Sequence, residues 1–341
     1  TNLFKMDSSR PESHIALATA GNKSLYYGDL SQQDKRCVFL TVHDLGTNHS
    51  TMVDFVNTPV MSEIKERSCF IHVDVPGHEE NSPDLPDSYQ FPSLQTLGED
   101  LITVLDFLHV RYAVGLGEGA GANVLARCGL AHPRRLLGLI LVNCTASTSS
   151  VADAFRSRFS RWRGADISQS EEDFLIYHKF GHVSFGGERD RTLTEYRSRL
   201  RGNLNTHNIK LYVRAFINRK DLILRGCQPD ILLITGMLSP YSTVIEKMYK
   251  ELDKERVTIL KVDRAGDVLA ETPAKIAQSL LLFCQGQGLL TSLPPPGEIN
   301  TEWFSTRRMS RAMSMEEYDK PNIRRLSLTP SVAESPPHRK L

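Results

Sequence analysis

The sequence predicts an α/β fold with a mostly parallel central sheet, helices on both faces and a helical cap inserted before the last two strands. Three observations carry that expectation. Short apolar runs of the kind that form strands buried on both faces alternate with amphipathic helical stretches. One strand turns into a helix through the glycine-rich bend Gly117-Glu118-Gly119-Ala120-Gly121. From Ser147 to Leu224 the chain becomes charged and helical in pattern, and strand patterning resumes at Pro229.

Taken in order, the polar-rich alternation from Ser13 to Thr19, the pair Gly21-Asn22 and the run Leu25-Tyr26-Tyr27 predict an antiparallel hairpin leading into the sheet. A buried strand at 37–42 follows, ending in His43-Asp44-Leu45-Gly46, and a second at 69–75. Residues 81–92 are rich in Pro, Ser and Asp and predict a long loop. Leu94, Leu97, Leu101, Leu105 and Leu108 recur at helical spacing, which delivers the chain to the strand at 112–116 and its glycine bend. The next strand is 136–142, ending at Asn143-Cys144-Thr145. The inserted segment carries Arg156, Arg158, Arg161 and Arg163, an anion-binding candidate whose plainer reading is a solvated helix face, then Glu171-Glu172-Asp173 and Leu200, Leu204 and Leu211. Strands at 229–236 and 257–262 bracket a helix marked by Val244, Ile245, Met248 and Leu252. A last helix over 273–283 is expected to start with Thr272 as N-cap and Pro273 in its first turn, and globular patterning stops near Gly286.

A strand that bends sharply into a helix needs glycines where backbones crowd, and this is the context of the G-x-S-x-G nucleophile elbow of α/β-hydrolases. Here Gly119 stands at the nucleophile position. The acid of a triad belongs after Gly236, where Ser239 is the nearest polar residue, and the histidine belongs after Val262, where Asp267 stands instead. No one of the three can do its triad task, so no enzyme activity and no catalytic residue are expected. The loop His43-Asp44-Leu45-Gly46 and the backbone of Ala120 occupy the places of the oxyanion-hole donors; the plainer reading of His43 is that it bonds loop backbone and fixes the turn. Asp44, Glu118, Asp263, Asp267 and His43 all lie near strand carboxyl ends and can converge on one crevice. Paired carboxylates can run acid–base chemistry or hold a metal, but no metal-ligand or phosphate-loop motif accompanies them. No metal or cofactor is expected, and the polar residues read as a remnant kept for solvation.

Length and a 40% hydrophobic content allow one large domain. A formal net charge of +1 gives no field favouring nucleic acid, and no apolar run reaches the roughly 18 residues of a membrane span. The N-terminus lacks a secretory pattern, although the chain does not begin with Met and a removed leader stays open. Six cysteines without a C-x-x-C pair read as buried small side chains in a reducing compartment. Asn22, Asn48 and Asn143 each begin a glycosylation triplet, which chance explains better than secretion.

With the glycine bend, the His43–Gly46 loop, the strand 138–143, the run Val124-Leu125-Ala126-Arg127 and Pro273-Ala274-Lys275-Ile276-Ala277 before Phe283-Cys284-Gln285-Gly286 in view, the chain resembles the N-myc downstream-regulated (NDRG) family over about residues 12–290. Its members are α/β-hydrolase-like proteins without the triad. Asn143-Cys144-Thr145-Ala146 and Met237-Leu238-Ser239 depart from the family pattern, so the resemblance is to a divergent member. It implies a non-enzymatic cytoplasmic adaptor in signal transduction, stress response, differentiation or vesicle trafficking, with signalling or trafficking factors and kinases as partners. An esterase-like hydrolase with a non-standard nucleophile is the alternative, and a sensor holding a small-molecule or lipid ligand in the remnant crevice is a third reading.

The expected organisation is a core over 1–146 and 225–290, a helical cap over 147–224, and a disordered tail over 291–341 whose Trp303-Phe304 pair can dock on the domain or on a partner. In the tail, Arg307-Arg308-Met309-Ser310 and Arg324-Arg325-Leu326-Ser327 repeat one spacing that suits a basophilic kinase, while Thr329-Pro330 and Ser335-Pro336 suit a proline-directed one. Ser310, Ser327, Thr329 and Ser335 are therefore candidate phosphorylation sites.

Overall fold

The computed structural model describes residues 23–27, 30–146, 167–181 and 188–294. Among the described residues seven strands form one sheet in the order β1-β3-β2-β4-β5-β6-β7. They are β1 (Lys23–Tyr27), β2 (Cys37–Val42), β3 (Ser68–Asp74), β4 (Ala113–Glu118), β5 (Leu136–Val142), β6 (Asp230–Gly236) and β7 (Val257–Val262). Strands β2 to β7 are mutually parallel; β1 pairs antiparallel with β3 at the edge. The fold class read from sequence is the one observed. The first half of the expected hairpin lies outside the described residues, and the partner of residues 23–27 is β3.

The apolar runs form buried strands because both faces are covered. In β2, Val38, Leu40 and Val42 enter one core, which includes α3 (Leu94–Phe107) and α4 (Gly119–Ala131). Cys37 and Phe39 enter the other, against α1 (His49–Val56), α2 (Ser62–Glu66) and α10 (Pro273–Gly286). A period of two on a two-sided sheet produces this split. Helix α3 starts at Ser93, whose hydroxyl accepts from the Thr96 N–H at 3.1 Å.

Helix α1 was not evident in the sequence. It is capped by Asn48, whose Oδ1 accepts from the Ser50 N–H at 3.1 Å, and Asn48 is buried, as is Asn143. Neither presents a glycosylation acceptor in the folded chain, and Asn22 lies outside the described residues. Thr272 makes no cap bond to α10; its hydroxyl turns back to the Val268 carbonyl at 2.9 Å. All six cysteines are buried.

Between β5 and β6 lie α5 (Gln169–Phe180), α6 (Glu188–Gly202) and α7 (Thr206–Ile217), inside the segment expected to be the cap. Ser168 and Glu171 close a capping box on α5. The Glu171-Glu172 pair is buried: Glu172 takes Arg197 and Arg201, and Glu171 lies 3.3 Å from Lys210. Asn208 of α7 binds the Gly77 and Pro83 carbonyls, each at 2.9 Å, and accepts from the Leu85 N–H. The long loop after β3 is thus pinned to these helices. Arg156, Arg158, Arg161 and Arg163 lie outside the described residues. After β6 come α8 (Ser242–Lys250) and, after β7, the short α9 (Val268–Glu271).

Candidate functional site

The crevice sits where β2, β4, β6 and β7 end. At the bend into α4, Gly119 has φ +52°, a backbone region that disfavours any side chain with a Cβ. Gly121 lies so close to β2 that a Cβ there would fall 2.2 Å from the Val42 carbonyl oxygen. The elbow geometry is intact.

The space a nucleophile would occupy is filled. A Cβ built on Gly119 would lie 2.0 Å from Asp44 Oδ1 and 2.4 Å from Oδ2. Asp44 Oδ1 accepts the Ala120 N–H at 2.8 Å. In α/β-hydrolases the N–H after the nucleophile is an oxyanion-hole donor, so this donor already holds a carboxylate of the chain itself.

The helix α5 closes the crevice from above. His178 Nε2 donates to Asp44, at 2.9 Å from Oδ1 and 3.0 Å from Oδ2, and its Nδ1 pairs with the Tyr241 hydroxyl. Next to it, Lys179 Nζ lies 2.9 Å from both Glu118 oxygens and 3.1 Å from Asp267 Oδ2. Asp44 (2% exposed), Glu118 (1%), Asp267 (1%), His178 (1%) and Lys179 (3%) are all out of solvent. The expectation that these polar residues remain for solvation is therefore corrected: they are buried and paired with one another, and burial without pairing would cost several kcal/mol per ion.

The electrostatics follow from the count. Three carboxylates face one ammonium and one imidazole. Burial raises the Asp44 carboxyl, but His178, Lys179 and the Ala120 N–H outweigh it and hold the group below its usual range. Burial lowers Lys179, yet Asp267, Glu118 and Asp44 outweigh that and hold it charged. Glu118 is pushed upward by burial, with Asp267 and Asp44 adding to the rise against the pull of Lys179. It is the carboxylate whose charge the cluster tolerates least.

The sequence-derived positions separate into those the fold brings together and those it does not. Gly119, Asp44, Ala120 and Asp267 meet in the crevice, with Glu118 beneath. Ser239 does not join them: its hydroxyl accepts from the Tyr241 N–H at 3.3 Å within its own turn. Asp263 is exposed and stands apart from the cluster. His43 faces away, donating from Nδ1 to the Asp44 carbonyl at 2.8 Å and accepting the Val75 N–H on Nε2 at 3.1 Å. Burial, reinforced by His78, pushes it down to about 3, so it is a neutral turn-fixing residue. Leu45 is core, and Gly46 lies under Tyr196 of α6. Ser310, Ser327, Thr329 and Ser335 lie outside the described residues, as do Trp303 and Phe304. Among the described residues no metal-binding cluster of His, Cys, Asp and Glu occurs.

His178, Lys179, Tyr241 and Tyr196 were missed from sequence. Their one signal is the adjacent pair His178-Lys179 set among Phe174, Leu175, Ile176 and Phe180 of one helix.

The Ndr family model matches residues 19–291. The chain belongs to the Ndr family. It is 37% identical over 308 residues to the uncharacterised protein ZK1073.1 of Caenorhabditis elegans, covering 89% of this chain and 90% of that one. Protein NDRG3 of Xenopus tropicalis is 31% identical, covering 81% and 73% of the two chains, and protein NDRG2 of Bos taurus is 30% identical, covering 76% and 72%. Among solved structures, a hydrolase from Pseudomonas aeruginosa PA01 superposes with a TM-score of 0.61 at 20% identity, over 81% of this chain and 99% of that one. A thermophilic esterase from Thermogutta terrifontis gives 0.63 at 16% identity, over 80% and 96%. These likenesses establish the α/β-hydrolase fold of this Ndr-family chain. No described helix is long and apolar enough to cross a membrane.

Proposed function

We propose that this Ndr-family chain is a non-catalytic adaptor in which the old hydrolase crevice has become a latch holding the cap helices on the sheet. The observation that carries the reading is the Asp44 carboxylate, seated in the nucleophile's space and on the Ala120 donor. Acyl transfer needs an attacking atom, a proton acceptor beside it and free donors for the oxyanion. Gly119 supplies no attacking atom. The hydrogen-bond partners of His178 among the described residues are Asp44 and Tyr241, and the Tyr241 hydroxyl is buried, so the Asp44–His178–Tyr241 chain faces no substrate.

The roles that go with the reading are binding of signalling or trafficking factors in the cytoplasm and control by kinases acting on Ser310 and Ser327, with Thr329 and Ser335 as proline-directed sites. Its support is the repeated Arg-Arg-x-Ser spacing and the family. The test is treatment with a fluorophosphonate probe and with short-chain p-nitrophenyl esters. The expected result is no covalent adduct and no turnover above heat-unfolded protein. An adduct on a crevice side chain, or turnover lost on mutating one, would restore the esterase alternative.

A further inference from the structure

At the end of the sheet opposite the latch, the loop from α3 to β4 and the turn before β5 frame a groove of about 530 Å³, lined by Asp106, His109, Arg111, Tyr112, Arg134 and Arg135. Its backbone is tied down from behind. His109 holds φ +54°, its carbonyl accepts from Gln33 Nε2 at 3.0 Å, and Gln33 Oε1 accepts the Arg111 N–H at 3.3 Å. Arg135 donates to the Val110 and Arg111 carbonyls, each at 2.9 Å, and to Asp106 Oδ1 at 2.6 Å. Asp106 is the one carboxylate of the lining among the described residues, and Arg135 has taken it. Arg111 and Arg134 are exposed, and neither side chain makes a hydrogen bond or ion pair with a described residue. The groove thus presents two guanidinium groups without a counter-charge on a fixed frame, and such forks match carboxylate geometry.

The chain brings a matching segment to this end. Strands β2 to β7 are parallel, so the starts of β3, β4, β5 and β6 lie together. After α10, Gln287 Nε2 donates to Asp230 Oδ2 at 2.7 Å at the start of β6, and the Ser292 hydroxyl accepts from Arg67 Nη1 at 2.9 Å just before β3. In the sheet order β3 is two strands from β4, about 10 Å across the sheet. The described residues end at Pro294, and about 20 residues further on stands Glu316-Glu317-Tyr318-Asp319, three acids in four residues. That length of chain spans at most about 70 Å, ample to reach the groove. Another concavity at this end holds Arg225 and Arg256 but also Glu251 and Asp253, so its charges cancel. We propose that the run Glu316–Asp319 docks in the groove of Arg111 and Arg134, so that the chain covers its own anion site. Exposed ion pairs are weak one by one, but a tethered partner acts at roughly millimolar local concentration. An anionic partner then enters the groove only by displacing the tail. The inference goes beyond the adaptor reading and does not require it.

The experiment uses the full chain carrying Tyr318→p-benzoylphenylalanine, irradiated and mapped by mass spectrometry. The expected result is a link within one molecule from position 318 to residues 109–112 or 134–135. Its yield should be unchanged on dilution and should fall about fivefold or more in 1 M NaCl, where the Debye length is about 3 Å. Arg111→Glu with Arg134→Glu should lower the yield by a similar factor, and so should Glu316→Arg, Glu317→Arg and Asp319→Arg together. Combining the two sets should restore the link. Both arginines are exposed, so reversing them leaves the packing alone, and a restored link could not come from an unfolded chain. The inference is overturned if no link forms or the links fall elsewhere, if the yield is unmoved by salt or by either reversal, or if the combined variant fails to restore it. A link between two molecules that fades on dilution would also overturn it, making the occupant a second copy.

Discussion

Gly119→Ala isolates the claim that Asp44 has taken the nucleophile's place. The new Cβ would lie 2.0 Å from Asp44 Oδ1, so the carboxylate must leave. Leaving breaks the Ala120 N–H bond at 2.8 Å and the His178 bond at 2.9 Å. Loss of a hydrogen bond to a charged group costs about 1.5–3 kcal/mol, and a Cβ at φ +52° adds about 1–2 kcal/mol. With both bonds lost the sum is about 4–8 kcal/mol, a fall in unfolding temperature on the order of 10 °C for a domain of this size. In an Asp44→Ala background the space is already empty, and only the backbone cost of about 1–2 kcal/mol remains. Urea unfolding of parent, both single variants and the double variant measures the coupling, expected at about 3–6 kcal/mol, the worth of the two bonds. A Gly119→Ala protein within about 1 kcal/mol of the parent, or additive single effects, would refute the placement of Asp44.

Three further outcomes follow from the same geometry. Lys179→Met strands Glu118 and Asp267 and should cost about 3–5 kcal/mol in urea unfolding, with part recovered by adding Asp267→Asn. His72 is pushed down to about 3 by burial and then by His49, so as pH falls below about 6.5 the unfolded chain takes a proton that the folded chain refuses. Stability is thus lost toward acid between those values, and His72→Asn should flatten the slope of unfolding free energy with pH by up to about 1.4 kcal/mol per unit, read from urea curves at pH 6.5, 5.5 and 5.0. Incubation with a basophilic kinase should place phosphate on Ser310 and Ser327 by mass spectrometry, and replacing Arg307, Arg308, Arg324 and Arg325 with Ala should remove it.

The sheet was legible because its strands are uniform apolar runs, and the bend was legible because Gly121 has no room for a Cβ against Val42. Gly119, Ser239 and Asp267 were assigned from position alone. What sequence could not show is which polar residues compensate. Asp44 lies 75 residues before Gly119, and His178 and Lys179 lie about 60 beyond it, on a helix whose polar residues look like a solvated face until its docking is known. Ser239 illustrates the converse. It stands at the expected loop, yet the side chain that reaches the cluster from there is Tyr241, two residues on, because the turn points Ser239 at its own backbone. Helix α1 escaped notice because Asn48-His49-Ser50 carries a cap whose geometry is local and whose buried face is short.

The latch also determines what reversion could achieve. A serine placed at Gly119 would face an acceptor-only carboxylate on the donor it needs, while the nearest imidazole, His178, is already committed to Asp44 and Tyr241. Placing a histidine at Asp267 would remove one of the three anions that hold Lys179 charged and set the new ring against an ammonium. Clearing Asp44 would in turn leave His178 without its carboxylate and change the balance that pushes Glu118 upward. Each step toward a triad therefore dismantles a pair that keeps α5 on the sheet, and the groups respond as one electrostatic unit whose effects do not add. Single reversions at Gly119, Ser239 or Asp267 should yield proteins that are less stable and still inactive toward p-nitrophenyl esters. Measurable turnover from any one of them alone would mean that the crevice is not locked in the way the Asp44 and Lys179 contacts require.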